Sequence, residues 1–134
     1  MKNLIIFSLL LISSFCSAQT SVFPADCVLI YKDTLSNEPP EIMYVGGKIT
    51  IEKQSVNVNA LPLLSFSDYI ISKTERAGLL FKFPSPTIIT KNNYTLIDQS
   101  NRNAITILIE NKAYLFFHGN NQCNDLKKKT IEKQ

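Results

Sequence analysis

Residues 104–118 read Ala-Ile-Thr-Ile-Leu-Ile-Glu-Asn-Lys-Ala-Tyr-Leu-Phe-Phe-His, and this stretch decides the fold. It is rich in β-branched and aromatic residues, which favour strands. We predict two strands joined by a tight turn at Asn111-Lys112, because Asn tolerates the left-handed conformation of such turns. This turn would pair Ile107 with Phe116, and the alternation of side chains puts apolar residues on both faces. The hairpin is therefore expected near the centre of the fold.

A second hairpin is predicted in residues 48–59, where apolar and polar residues alternate on each side of Lys53-Gln54. A two-residue turn at Lys53-Gln54 pairs Ile51 with Val56 and leaves the apolar side chains on a single face. The apolar positions are Ile49, Ile51, Val56 and Val58. This part of the sheet is expected to have one face in water.

The rest of the chain repeats short apolar runs separated by turn signals, among them Gly46-Gly47. Further strands are predicted at residues 27–31, 42–45, 66–73, 79–83, 87–90 and 94–97. The total of about ten short strands without a long helix is typical of an all-β antiparallel meander. A small barrel or a strongly bent sheet is favoured, and a β-sandwich is the alternative.

The N-terminal residues 1–18 have the pattern of a signal peptide: a lysine, a short apolar run and small residues before the cut. The apolar run is shorter than the ~20 residues that span a bilayer. A core helix and a lipid attachment at Cys16 are the alternatives. The remainder is interpreted as a single β domain, 19–123, followed by a polar basic tail, 124–134. The protein is therefore predicted to be exported, either periplasmic or secreted.

After removal of the signal peptide, the cysteines that remain are Cys27 and Cys123. An even pair in an exported chain predicts a disulfide. The alternatives are a reactive thiol or a metal site, but a metal would need more ligands than two cysteines and His118. The bridge would bring the start of the first strand to the end of the last, as a closed meander requires.

The net charge of +3 lies mainly outside the predicted β domain. Lys2 supplies one positive charge and residues 124–134 supply the others, so the body of the chain is neutral. Nucleic-acid binding needs a clustered basic surface, and the two arginines, Arg76 and Arg102, are far apart in the sequence. The lysines of the tail are interpreted as a solvated end rather than as an anchor to an anionic surface.

The sequence contains no recognisable catalytic set. His118 is the only histidine, and it would lie at the end of a strand opposite Ile105. Neither a Gly-x-Ser-x-Gly elbow nor a glycine-rich phosphate loop is present. We therefore predict no enzymatic activity, no cofactor and no metal. A pocket with His118 beside a carboxylate would favour an enzyme instead.

The clearest candidates for binding are loops held by the sheet, because such loops usually carry binding residues. The longest irregular stretches are predicted at 32–41 and 60–69. Asp68 and Tyr69, with Arg76 in the next predicted turn, form our candidate contact patch. The alternative is that these are plain surface residues.

These observations favour a small exported cell-envelope binding protein that recognises a protein partner, of the inhibitor or toxin-neutralising type. The general plan resembles that of small exported lysozyme inhibitors, which are also compact disulfide-linked barrels. Their short Ser-Gly motif is absent here, so the resemblance is one of fold alone. The alternative is a lipocalin-like carrier that holds a small apolar ligand inside the barrel.

Overall fold

The computed structural model describes residues 20–35, 37–78 and 81–132, so the predicted signal peptide, 1–18, lies outside the described residues. Eight antiparallel strands form a closed barrel in sequence order, with the last strand paired to the first. The strands are β1 (Ser21–Tyr31), β2 (Glu41–Ile51), β3 (Ser55–Leu61), β4 (Leu64–Ala77), β5 (Pro84–Thr90), β6 (Thr95–Gln99), β7 (Ala104–Ile109) and β8 (Lys112–Phe117). A helix, α1 (Asn120–Glu132), follows β8. Within the described ranges, no helix combines the length and the apolar character needed to cross a membrane.

The predicted all-β barrel with one disulfide is confirmed, but its strands are fewer and longer than expected. Residues 42–45 and 48–51 belong to one continuous strand, β2, because the chain passes through Gly46-Gly47 without turning. Gly47 has a φ of 153° and lies between β1 and β3, opposite Ala25 and Ala60. Gly47 therefore permits close approach of the neighbouring β3 backbone, and the glycine pair does not reverse the chain.

The hairpin at residues 48–59 has the predicted register. Ile51 pairs with Val56 and Ile49 with Val58, and all four side chains are buried in the barrel interior. The intervening residues of β3 point outward and are exposed. Strict alternation fixes this register because a shift of one residue would turn every apolar side chain to the solvent.

The hairpin of β7 and β8 has the predicted faces but a different turn. Ile107 pairs with Tyr114 and Ile105 with Phe116, so the expected pairing is wrong by two residues. The turn lies at Glu110-Asn111, and Glu110 has a φ of 55°. The sequence rule placed Asn in the left-handed position, whereas the structure places a glutamate there.

Both faces of this hairpin are buried, as predicted from the composition of residues 104–118. The inner face joins the barrel core, whose buried residues are Phe23, Ala25, Val28, Ile30, Ile49, Ile51, Val56, Val58, Ala60, Ile88, Leu96, Ile105, Ile107 and Phe116. The outer face joins a second cluster, which consists of Cys27, Leu29, Ala104, Ala113, Leu115, Phe117 and Cys123. The second cluster explains why these strands are apolar on both sides.

The predicted disulfide joins Cys27 to Cys123, with their α-carbons 5.9 Å apart. Cys27 lies in the middle of β1, and Cys123 lies in α1 rather than at the end of a strand. The bond therefore fastens the helix against the outside of the barrel. Within α1, Leu126 is the residue that packs beside Cys123 on the outer cluster. The helix includes residues 124–132 of the segment interpreted as a polar tail.

The connection between β4 and β5 also covers the outside of the barrel. A strand was predicted at 79–83, but residues 81–83 are irregular, and 79–80 lie outside the described residues. Phe81 packs against the outer cluster, and its carbonyl accepts a hydrogen bond of 2.6 Å from Nε2 of the buried Gln99. The same nitrogen donates to Oγ of Ser85 at 3.0 Å. These bonds hold the connection against β5 and β6.

Candidate functional site

A concave site lies where β4 meets the turn between β5 and β6. Its volume is about 490 Å³. The lining residues are Ser55, Ser67, Asp68, Tyr69, Lys91 and Asn92. We refer to this group as the Tyr69 site. It includes two of the three residues predicted as a contact patch, Asp68 and Tyr69.

Alternation along β4 gives neighbouring residues of the site different roles. Ser67 and Tyr69 face outward, and Tyr69 pairs with Ser55 of β3. Asp68 pairs with Val56, a residue of the barrel core, so its side chain points toward the mouth of the barrel. The outward residues are therefore available for contact, while Asp68 supports them from within.

Asp68 holds the β5–β6 turn against β4. Its Oδ2 accepts a hydrogen bond from the backbone N–H of Asn92 at 2.8 Å, and its Oδ1 accepts one from the N–H of Tyr69 at 2.9 Å. The backbone N–H of Lys91 donates in turn to the carbonyl of Tyr69 at 2.9 Å. The carboxylate and these backbone groups make the base of the site rigid.

Two opposing effects set the pKa of Asp68. Desolvation by burial raises it, whereas hydrogen bonds from the Asn92 N–H, the Thr90 hydroxyl, the Tyr69 N–H and the Asn92 side chain lower it. The hydrogen bonds prevail, so the pKa of Asp68 lies below its ordinary value. The carboxylate is therefore ionised at neutral pH and acts as an acceptor for the turn.

The outward surface around Tyr69 carries hydroxyl and amide groups beside exposed apolar side chains. Asn57 of β3 donates through Nδ2 to Oγ of Ser67 at 2.9 Å. Tyr69 is 67% exposed and the adjacent Ile71 is 62% exposed. A large aromatic side chain therefore protrudes from a surface at which the backbone N–H and carbonyl of Tyr69 are both hydrogen-bonded.

Arg76 was predicted in the same patch, but it lines a neighbouring cavity of about 620 Å³. Residue Asn92 lines both cavities, which makes the β5–β6 turn the boundary between them. The other residues of the second cavity are Asn93, Tyr94, Thr95, Leu108, Ile109 and Glu110. The turn predicted around Arg76 does not form, because β4 continues to Ala77 and pairs with β5.

Sequence reasoning missed Ser55, Lys91 and Asn92. Ser55 follows the correctly predicted turn at Lys53-Gln54, but its pairing with Tyr69 depends on the register between β3 and β4. Lys91 and Asn92 lie between the strands predicted at 87–90 and 94–97, and the pairing of Ile70 in β4 with Thr90 in β5 brings this turn against β4. The sequence could have indicated Lys91 and Asn92 through their position in a turn, since turns held by a sheet commonly carry binding residues.

His118 lies beyond the end of β8, so its expected position opposite Ile105 is wrong. Its Nδ1 lies 3.0 Å from Oδ2 of Asp26, and the same oxygen accepts the backbone N–H of Gly119 at 2.8 Å. The imidazole ring meets the Phe23 ring at an interplanar angle of 71°. These contacts tie the end of β8 to β1, and His118 lines neither of the two cavities described above.

The described residues contain no group of three or more His, Cys, Asp or Glu side chains that could hold a metal ion. Cys27 and Cys123 are bonded to each other. The disulfide is compatible with export, because such bonds persist in oxidising compartments.

Comparisons with protein-family models, with curated proteins and with solved structures gave no match.

Proposed function

We propose that this chain is an exported binding protein of the cell envelope that recognises a partner protein through the Tyr69 site. The partner is of the kind that an inhibitor or a toxin-neutralising protein engages. The observation that carries the proposal is the exposed Tyr69 side chain in a concave site with a rigid base.

The composition of the site supports recognition of a protein. Antibody paratopes are rich in Tyr, Ser and Asn, because a tyrosine supplies a large contact area at a low entropic cost and small polar residues adapt their hydrogen bonds. The Tyr69 site combines one exposed tyrosine with two serines and Asn92. Tyrosine is also among the residues that dominate binding energy at protein interfaces.

The rigidity of the site supports the same conclusion. Tyr69 lies on a strand, its own N–H is held by Asp68, and its carbonyl is held by Lys91. A preorganised surface loses less conformational entropy when it binds, so more of the contact energy appears as affinity. The backbone bonds around Tyr69 are therefore consistent with a binding surface.

The site has two charged residues, Asp68 and Lys91, and they have different roles. Asp68 is engaged by backbone N–H groups, whereas the side chain of Lys91 is exposed at the rim. A rim charge contributes to steering and specificity more than to affinity. We therefore expect aromatic contact to dominate binding, with a modest dependence on salt.

The test places a photo-crosslinking amino acid at position 69 and isolates the partner from an envelope extract of the source cells. The same amino acid at Leu61 is the matched control, since Leu61 is 56% exposed at the opposite end of β3 from Ser55. One defined partner crosslinked from position 69 and not from position 61 supports the proposal. Equal crosslinking from both positions, or none from position 69, contradicts it.

Binding to the purified partner then measures the contribution of the aromatic ring. We expect Tyr69→Ala to weaken binding by about 30-fold, corresponding to a hot-spot loss of about 2 kcal/mol. Leu61→Ala should leave the affinity within about twofold of the original value. An unchanged affinity in Tyr69→Ala would assign recognition to another surface.

The carrier hypothesis lacks comparable support. The barrel core contains large side chains such as Phe116, Ile105 and Ile49, all of which are fully buried. None of the buried residues of that core lines either described cavity. Native mass spectrometry of freshly purified protein is the direct test of a bound apolar ligand.

A further inference from the structure

The second half of β4 has one unpaired edge. Residues 64–69 of β4 pair with β3, whereas residues 70–77 pair with β5 on the other side. Among the described strands, none pairs with residues 71–77 on the side away from β5. The backbone of this half-strand therefore presents donors and acceptors to solvent, which is a template for another strand.

Two prolines show which backbone groups face the open side. Glu75 pairs with Pro86 and Ala77 with Pro84, and a proline has no N–H with which to form a mutually hydrogen-bonded pair. At the other end of β5, the N–H of Thr90 donates to the carbonyl of Tyr94 at 3.0 Å, so it points away from β4. This direction agrees with the alternation of backbone groups that the prolines indicate. The N–H and C=O groups of Lys73 and Glu75 consequently point away from β5.

We propose that this edge joins a second copy of the chain, and that the two β4 strands pair antiparallel about a two-fold axis at Thr74. A two-fold interface must be self-complementary, since each residue meets its counterpart twice. In this register Lys73 of one copy faces Glu75 of the other, and the reverse pair forms on the other side of the axis. Each such pair exchanges two backbone hydrogen bonds.

The charges select this register over its neighbours. Pairing centred on Lys73 would place the two Lys73 side chains directly opposite each other. Pairing centred on Glu75 would do the same with two carboxylates. Directly opposed like charges destabilise a strand pair, and opposite charges stabilise it. Lys73 and Glu75 are both exposed, and neither is in an ion pair within the described part of the chain.

The proposal does not rest on the Tyr69 site, because it uses residues 71–77 and their backbone rather than the lining of that cavity. Ile71 lies at the end of the edge nearest to β3, at the irregularity between Ile70 and Ser72 in the pairing with β5, and it is 62% exposed. In the proposed register it faces Ala77 of the second copy, which gives the charged pairs an apolar neighbour.

Sedimentation equilibrium of the exported, disulfide-intact chain tests the proposal from about 10 µM to about 1 mM, the range in which small interfaces associate. We expect the dimer fraction to rise with concentration. Lys73→Glu alone and Glu75→Lys alone should each weaken dimerisation by at least about tenfold, because each change creates two like-charge pairs. Lys48→Glu is the matched control, since Lys48 is an exposed lysine on β2 in a region paired on both sides.

An equimolar mixture of the K73E and E75K chains distinguishes the register from a general charge effect. In the mixed dimer every cross-strand charge pair is again attractive, so heterodimers should form at least as tightly as wild-type dimers. A wild-type chain that stays monomeric at about 1 mM overturns the proposal. A dimer that is unaffected by the single reversals, or a mixture that does not associate, overturns it as well.

Discussion

At the residue scale, Gly46 and Gly47 are neighbours with different structural roles. A Cβ at Gly47 would overlap the carbonyl oxygen of Asn59, and its φ of 153° is one that residues with side chains rarely adopt. A Cβ at Gly46 would meet nothing within 4 Å. Substitutions at the two positions therefore distinguish the cost of a side chain where two backbones approach closely from the cost of one at a strand glycine with free space around it.

We expect Gly47→Ala to lower the free energy of unfolding by about 3 kcal/mol, since it combines a disfavoured backbone conformation with overlap against β3. Gly46→Ala, the matched control, should change it by less than about 1 kcal/mol. Urea denaturation of both variants provides the measurement. Similar losses in the two variants would show that the contact between Gly47 and β3 is unimportant.

Asp68 should make stability depend on pH in the acid range. Because its pKa is lowered in the folded protein, its contribution is present above the unfolded value of about 3.9 and is lost as the pH falls through the folded pKa. Stability should therefore decrease below about pH 4, and Asp68→Asn should reduce that dependence. At neutral pH the variant should be less stable, because its amide offers one acceptor oxygen where the carboxylate offers two.

Urea midpoints at about pH 7 and about pH 2.5 would measure this effect. The difference in urea midpoint between Asp68→Asn and the wild type should be smaller at the lower pH. Asp33→Asn is the control for removal of one negative charge, since Asp33 lies in an exposed loop and accepts the backbone N–H of Leu35. If the urea midpoint of Asp68→Asn differs from that of the wild type by the same amount at both pH values, the role assigned to the carboxylate is contradicted.

At the scale of elements, α1 is joined to the barrel by the disulfide and by side chains of its first two turns. Cys123 and Leu126 face the outer cluster, Tyr44 donates a hydrogen bond to Oδ1 of Asn124 at 2.9 Å, and Lys127 lies 5.5 Å from the centroid of the Tyr44 ring. Most of the described side chains of the helix are polar and exposed. Its sequence consequently lacked the apolar periodicity by which helices are recognised.

Replacing both bonded cysteines by alanine should lower the free energy of unfolding by about 2–5 kcal/mol, because the bond constrains nearly the whole unfolded chain. We also expect increased binding of an apolar dye, as a loosened helix would expose Leu115 and Phe117 of the outer cluster. Urea denaturation and dye fluorescence are the measurements.

Leu126→Ala is the control for this prediction, because it removes a helix contact and keeps the disulfide. It should cause a smaller loss of stability than the double cysteine variant. An equal loss would indicate that packing of the helix, rather than the covalent bond, provides the stabilisation.

The two hairpins show how far local sequence predicts an element. In residues 48–59 each apolar position has a polar neighbour, so only one register buries all of the apolar side chains. In β7 and β8 both faces are apolar, and a shift of two residues buries nearly the same groups. The hydrophobic pattern therefore predicted the two faces of that hairpin but not the position of its turn. The turn lies at Glu110-Asn111, where Glu110 has a positive φ.

At the scale of the whole molecule, composition and turn spacing predicted an all-β barrel, and the cysteine count predicted its disulfide. What sequence could not supply was the set of long-range contacts. Tyr69 and Asp68 were predicted as site residues from their own segment. The approach of Asn92 to Asp68 depends on how β4 and β5 meet around the barrel. The separation of Arg76 from Tyr69 follows from the unexpected extension of β4.

The position of the disulfide also affects how the molecule responds to proteolysis. Cys27 and Cys123 are separated by 96 residues, and every turn between β1 and α1 lies within that interval. A protease that cuts any one of those turns produces two fragments that remain covalently tethered. A singly nicked chain would keep its mass on a non-reducing gel and separate into pieces only after treatment with a thiol.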